Sequence, residues 1–146
     1  MKDDYSAVEI LLVEDSEEDA ELTMRALTKA RLANAVHRVS DGQEALDFLF
    51  STGPYERNEA KPRVVLLDLK LPKIGGIEIL QAIRSDPRTA TTPVVVLTSS
   101  AEDRDLEECY RLGVNSYIVK PVEFANFVKA VEQLGFYWAV LNRTLR

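Results

Sequence analysis

The sequence predicts an α/β fold, doubly wound on a five-stranded parallel sheet. Five apolar runs of strand length alternate with longer stretches whose apolar residues recur at helical spacing. The runs are apolar at nearly every position, as strands covered on both faces must be. Four of the five break off at polar or charged residues, and in a parallel sheet those breaks fall on one rim.

The first run is Val8-Glu9-Ile10-Leu11-Leu12-Val13, which stops at Glu14-Asp15-Ser16. Ser16 followed by Asp19 reads as a capping box, and Ala20, Met24 and Leu27 then share one helical face. Ala35 to Val39 is a short second strand. Asp41-Gly42 turns the chain into a helix through Ala45, Leu46 and Leu49. Ser51 to Pro62 is polar and holds Gly53, Pro54 and Pro62, so it is expected to be a long surface loop. Val64-Val65-Leu66-Leu67 is a buried strand ending at Asp68. Pro72 and Gly75-Gly76 shape the next loop. The helix carrying Ile77, Leu80 and Ile83 must end near Asp86-Pro87, because proline disfavours helix in the residue before it. Val94-Val95-Val96-Leu97 runs into Thr98-Ser99-Ser100. A helix through Leu106, Cys109 and Tyr110 closes at Gly113. Ser116-Tyr117-Ile118-Val119 is stopped by Lys120-Pro121, and the last helix carries Phe124, Phe127, Val128 and Val131.

Composition excludes several function classes. With 146 residues there is room for one ordinary domain. A net charge of −6 argues against nucleic acid or anionic lipid as the main partner, since both require a basic face. The single Cys109 excludes an internal disulfide, and the single His37 excludes paired-histidine metal motifs. Both are expected to serve packing, Cys109 on a helix face and His37 in the second strand. No apolar run approaches the ~20 residues of a membrane span, and the N-terminus has no apolar signal core. A cytoplasmic protein is the expectation.

The chemistry lies at the strand ends. Glu14-Asp15, Asp68, Thr98 and Lys120 come from four strands and converge on one rim. Three carboxylates held together repel unless a cation sits among them. Hard oxygen ligands of this kind suit Mg²⁺. The cation, the Lys120 ammonium and the Thr98 hydroxyl would together accept a phosphoryl group, with Asp68 as its nucleophile.

Leu12-Val13-Glu14-Asp15, Asp68 with Leu71-Pro72 and Gly76 behind it, Thr98, and Lys120-Pro121 resemble, in order and spacing, the receiver domain of two-component response regulators. The resemblance covers about residues 8–132. It implies the flavodoxin-like receiver fold with strand order 2-1-3-4-5 and five helices. It also implies that Asp68 accepts phosphate from a sensor histidine kinase. Glu14, Asp15 and Asp68 would hold Mg²⁺ together with the backbone carbonyl of Lys70. Lys120 would contact the phosphoryl group, Thr98 and Tyr117 would form the switch pair, and the Lys120–Pro121 bond would be cis. Such a protein is a phosphoacceptor and not an enzyme, beyond promoting its own phosphorylation and dephosphorylation.

The receiver is expected to span residues 7–132, with a C-terminal helical extension over 133–146. The 25 residues after Pro121 are too few for a DNA-binding output domain of ~60 residues, so a stand-alone receiver is expected. The lengthened Ser51–Pro62 loop and the tail Gly135-Phe136-Tyr137-Trp138 with Val140-Leu141-Asn142 resemble the small response regulators paired with cyanobacterial and bacterial phytochromes. Aromatic residues beyond a completed domain suit an interface, so a homodimer through Phe136, Tyr137, Trp138 and Leu141 is expected, with the fourth helix and fifth strand as further candidates. The competing readings are a haloacid-dehalogenase-like phosphatase with Asp68 as nucleophile, a flavodoxin, and a phosphate-independent interaction module. Lys70 stands where the phosphatase would carry its general acid, and the acidic Glu14–Asp19 stretch would repel a flavin phosphate.

Overall fold

The apolar runs form strands, and the periodic stretches between them form helices that cross back over the sheet. The computed structural model describes residues 8–32, 35–99 and 103–132. The strands are β1 (Ile10–Val13), β2 (Val36–Val39), β3 (Val64–Asp68), β4 (Val94–Thr98) and β5 (Ser116–Val119). The helices are α1 (Glu17–Lys29), α2 (Gly42–Phe50), α3 (Gly76–Ser85), α4 (Asp103–Arg111) and α5 (Phe124–Glu132). The sheet is parallel throughout and ordered β2-β1-β3-β4-β5, the flavodoxin-like order the sequence predicts. The tail residues 133–146, with Phe136, Tyr137, Trp138 and Leu141, lie outside the described residues.

Alternation along the strands divides the core into two layers. Ile10, Leu12, Leu66 and Ile118 face Leu27 of α1 and Phe127 of α5. Leu11, Val13, Leu67 and Val96 face Phe48 of α2, Ile79 and Ile83 of α3, and Cys109 of α4. Cys109 is fully buried, as expected of a packing residue.

Two local expectations need correction. Ser16 caps α1, accepting from the Asp19 amide at 3.2 Å, but the Ser16 amide donates to Glu14 Oε2, so the capping box is only half formed. The 51–62 stretch is not a plain surface loop. Its Gly53–Tyr55 segment is a 3-10 turn that buries Tyr55, and Asn58 is buried too, donating to the Phe48 carbonyl at 2.9 Å. His37 stacks on Phe48 at 4.8 Å between centroids and lies 2.9 Å from the Tyr55 hydroxyl. Tyr110, on the same helix as the buried Cys109, is half exposed.

Arg84 closes the lower edge of α3. Its guanidinium donates to the carbonyls of Leu112, Ala90, Thr92 and Gly113, tying the ends of α3 and α4 to the start of β4. Gly113 follows α4 with φ +75°, a conformation glycine adopts without a Cβ penalty.

Candidate functional site

The sheet brings the strand-end residues together because the chain winds in opposite directions from β1 and β3. Val13 pairs with Leu67, so Glu14 and Asp68 leave their strands side by side. Thr98 closes the neighbouring β4 and is buried. Lys120 follows β5, its amide donating to the Thr98 carbonyl at 2.7 Å. The cis Lys120–Pro121 bond that the resemblance implies is present.

Gly76 sets the β3–α3 loop against the strand that carries Asp68. A Cβ on it would stand 2.6 Å from both the Asp68 carbonyl oxygen and Leu69 Cα, so the loop can lie this close only with glycine here. The Lys70 amide donates to Asp68 Oδ1 at 3.1 Å and fixes that carboxylate from the loop side. On the opposite side Arg38 Nε donates to the Glu14 carbonyl at 3.0 Å and anchors the exit of β1.

The acids form one cluster. Glu14, Asp15 and Asp68 each bring a carboxylate oxygen within 4.8 Å of the others. Glu14 is fully buried, Asp68 nearly so, and Asp15 is exposed at the mouth. Burial pushes the Glu14 carboxyl up from its ordinary 4.5 to about 7, and the adjacent Asp68 adds to this while Lys120 pulls the other way. Lys120 Nζ donates to Asp68 Oδ2 and Asp19 Oδ2, each at 3.0 Å. It also lies 2.9 Å from Glu14 Oε1, a contact with the distance but not the angles of a hydrogen bond. Burial alone would draw the Lys120 ammonium down; its pairing with Glu14, Asp19 and Asp68 outweighs this and holds it above its ordinary value.

These residues fit a hard divalent cation. Glu14 Oε1 is a buried carboxylate oxygen without an aligned donor, two further carboxylates stand beside it, and all the donors are oxygen. Glu14, Asp15, Asp68, Thr98 and Lys120 are thus brought to one rim as the sequence predicts. Tyr117 lies elsewhere. It pairs in register with Val96, two residues before Thr98, and its partly exposed ring meets Tyr110 edge-on at 6.5 Å. Asp19 was legible in the sequence only as part of a cap, and its contact with Lys120 spans 101 positions. Its placement at the third position of the helix after Glu14-Asp15, facing back toward the rim, was the one available signal.

Comparison with known proteins agrees with this geometry. The family model for the response regulator receiver domain matches residues 10–132. The probable methanogenesis regulatory protein FilR2 of Methanothrix harundinacea is 42% identical over 135 residues, covering 92% of this chain and 86% of its own. The response regulator Rcp1 of Synechocystis is 38% identical over 129 residues, covering 88% of this chain and 87% of its own. The solved Mn(2+)-bound form of Rcp1 superposes with a TM-score of 0.72 at 36% identity, over 88% of this chain and 92% of that one. The bacteriophytochrome response regulator RtBRR superposes with a TM-score of 0.80 at 53% identity, over 86% of this chain and 76% of that one. An aspartate at the carboxyl end of the third strand, set between an acidic cluster and a lysine, is what a domain phosphorylated on aspartate by a kinase requires, and with the family match over most of its length the chain belongs to the response regulator receiver domain family.

Proposed function

We propose that this chain takes a phosphoryl group on Asp68 from a sensor histidine kinase of the phytochrome type. The observation that carries the reading is the setting of Asp68. It is a buried carboxylate with one oxygen held by the Lys70 amide, the other by the Lys120 ammonium, and two more carboxylates within 4.8 Å. The phytochrome pairing is supported by the likeness to RtBRR at 53% identity.

Glu14, Asp15 and Asp68, with the backbone carbonyl of Lys70, would hold Mg²⁺. When bound, the cation supplies positive charge that offsets both the crowded carboxylates and the phosphoryl oxygens. An Asp68 carboxylate oxygen attacks phosphorus, a P–O bond forms, the P–N bond to the kinase histidine breaks, and its electron pair returns to the imidazole. Lys120 Nζ and the Thr98 hydroxyl donate to the transferred oxygens. Thr98 then carries the change to β5, where Tyr117 faces Tyr110 of α4. The signal leaves by protein–protein contact, with a second copy of the chain joined through Phe136, Tyr137, Trp138 and Leu141 as the first such partner. No helix among the described residues is long and apolar enough to cross a membrane, and a net charge of −6 disfavours nucleic acid as a partner.

The test is labelling by acetyl phosphate with Mg²⁺, followed by transfer from a panel of histidine kinases that includes a phytochrome kinase. Wild type labels, EDTA stops it, and Asp68→Asn does not label. Labelling that survives Asp68→Asn refutes the site, and a kinase outside the phytochrome class as preferred donor refutes the pairing.

A further inference from the structure

Asp19 is the feature of the rim that the phosphoacceptor reading does not use. Its carboxylate is not among the three that could share a cation, yet its Oδ2 lies 3.0 Å from Lys120 Nζ. Its side chain is 36% exposed, against 0% for Glu14 and 5% for Asp68. We propose that Asp19 is a positioning residue that competes with the phosphoryl group for Lys120, an inference resting on the reading of Asp68 as phosphoacceptor.

The number of donors on Lys120 is the limit. An ammonium has three N–H groups. Two are committed to Asp19 and Asp68, and the third side of Nζ lies against Glu14. A phosphoryl oxygen therefore gains Lys120 by displacing one of these partners. Releasing Glu14 would leave a fully buried carboxylate short of its counter-charge, which is costly, while Asp68 is itself the group that carries the phosphoryl oxygens. Releasing Asp19 returns a carboxylate at the mouth of the site to water, and a pair so exposed is worth little. Asp19 is thus the partner exchanged. Until then it draws Lys120 toward α1 and away from the incoming group. Because Asp19 sits in the first turn of α1, the exchange also frees that turn from the β5–α5 connection that carries Lys120.

The cap of α1 is unaffected by substitution, since Ser16 accepts from the Asp19 backbone amide and not from the side chain. Asp19→Asn removes the competing charge at nearly constant size. It is expected to raise the initial rate of Mg²⁺-dependent labelling by acetyl phosphate about two- to fivefold, the range that an exposed ion pair allows. Loss of a negative charge could hasten labelling without Lys120, so the same substitution is made in the Lys120→Met background. There the acceleration should vanish, because Asp19 acts through the lysine. Beryllofluoride, a phosphoryl mimic, should bind Asp19→Asn about two- to fivefold more tightly than wild type. In the Lys120→Met background that gain in affinity should vanish too. Equal or slower labelling, equal or weaker beryllofluoride binding, or the same acceleration in both backgrounds overturns the inference. Labelling that persists in Asp68→Asn overturns the phosphoacceptor reading first. An inactive Asp68→Asn with an unchanged Asp19→Asn overturns this inference alone.

Discussion

Glu14 shows how one residue carries both the stability and the chemistry of the site. Its carboxyl is lifted to about 7 by burial and by Asp68. Between about pH 4.5 and 7 the folded chain therefore keeps a proton that the unfolded chain has released. Without a cation, stability falls as pH rises through that interval. A bound cation must displace the proton, so its affinity runs the opposite way. Mg²⁺ binding by calorimetry should be roughly tenfold weaker at pH 6 than at pH 8, and equal affinities would show that Glu14 is not a ligand. Tyr55 makes a second test at this scale. Its hydroxyl donates to Glu44 Oε2 at 2.8 Å and meets His37 Nε2 at 2.9 Å, so Tyr55→Phe strands two partly buried groups. Urea unfolding should register a loss of about 1–2 kcal/mol, with phosphorylation unchanged. The residue types at the strand ends were readable in the sequence because the chemistry requires them. The Asp19–Lys120 contact was not, because a helix cap accounts for Asp19 on local grounds and the partner comes from the other end of the chain.

At the scale of elements, Arg84 ties together the loops at the end of the sheet opposite the site. Its four carbonyl partners lie at the end of α4 and in the connection from α3 to β4. Arg84→Met would leave those carbonyls to water or to no partner, at a cost of about 2–4 kcal/mol in urea unfolding. Arg84→Lys should recover little, because one ammonium cannot reproduce the planar fork. Gly76→Ala tests the other side of the sheet. Its Cβ would meet backbone atoms of residues 68 and 69, which cannot yield as a side-chain tip can. A destabilisation of about 1–3 kcal/mol is expected, with weaker Mg²⁺ binding because Asp68 moves with the strand. A variant that binds Mg²⁺ normally would show that the loop adjusts independently of the site. Strand and helix positions follow the sequence periodicity closely. The 51–62 stretch does not, since nothing local shows that Tyr55 and Asn58 turn inward; Phe48 and His37, which receive Tyr55, lie on α2 and β2.

At the scale of the whole molecule, assembly is the open prediction. Tyr110, Tyr117 and Val119 leave an exposed apolar strip on the α4–β5 face. The aromatic segment Phe136-Tyr137-Trp138 follows α5 in sequence. A homodimer is expected in sedimentation at tens of micromolar, roughly −6 to −7 kcal/mol of association. Trp138→Ala combined with Leu141→Ala should shift it toward monomer. A wild type that stays monomeric with and without a phosphoryl mimic, or a dimer indifferent to both substitutions, would defeat the expectation.

The sequence by itself determined the layer order, because near-continuous apolar strands between amphipathic helices leave a two-sided parallel sheet as the economical way to bury them. It also determined which residues reach the working rim, since a parallel sheet places every strand's carboxyl end on one side. What only the tertiary structure decided is how those residues divide Lys120 among them. Hydrophobic periodicity fixes which face a side chain takes. The direction of a lysine's last bonds depends on three carboxylates from three elements, set within 3 Å of one nitrogen, and no local pattern encodes that meeting.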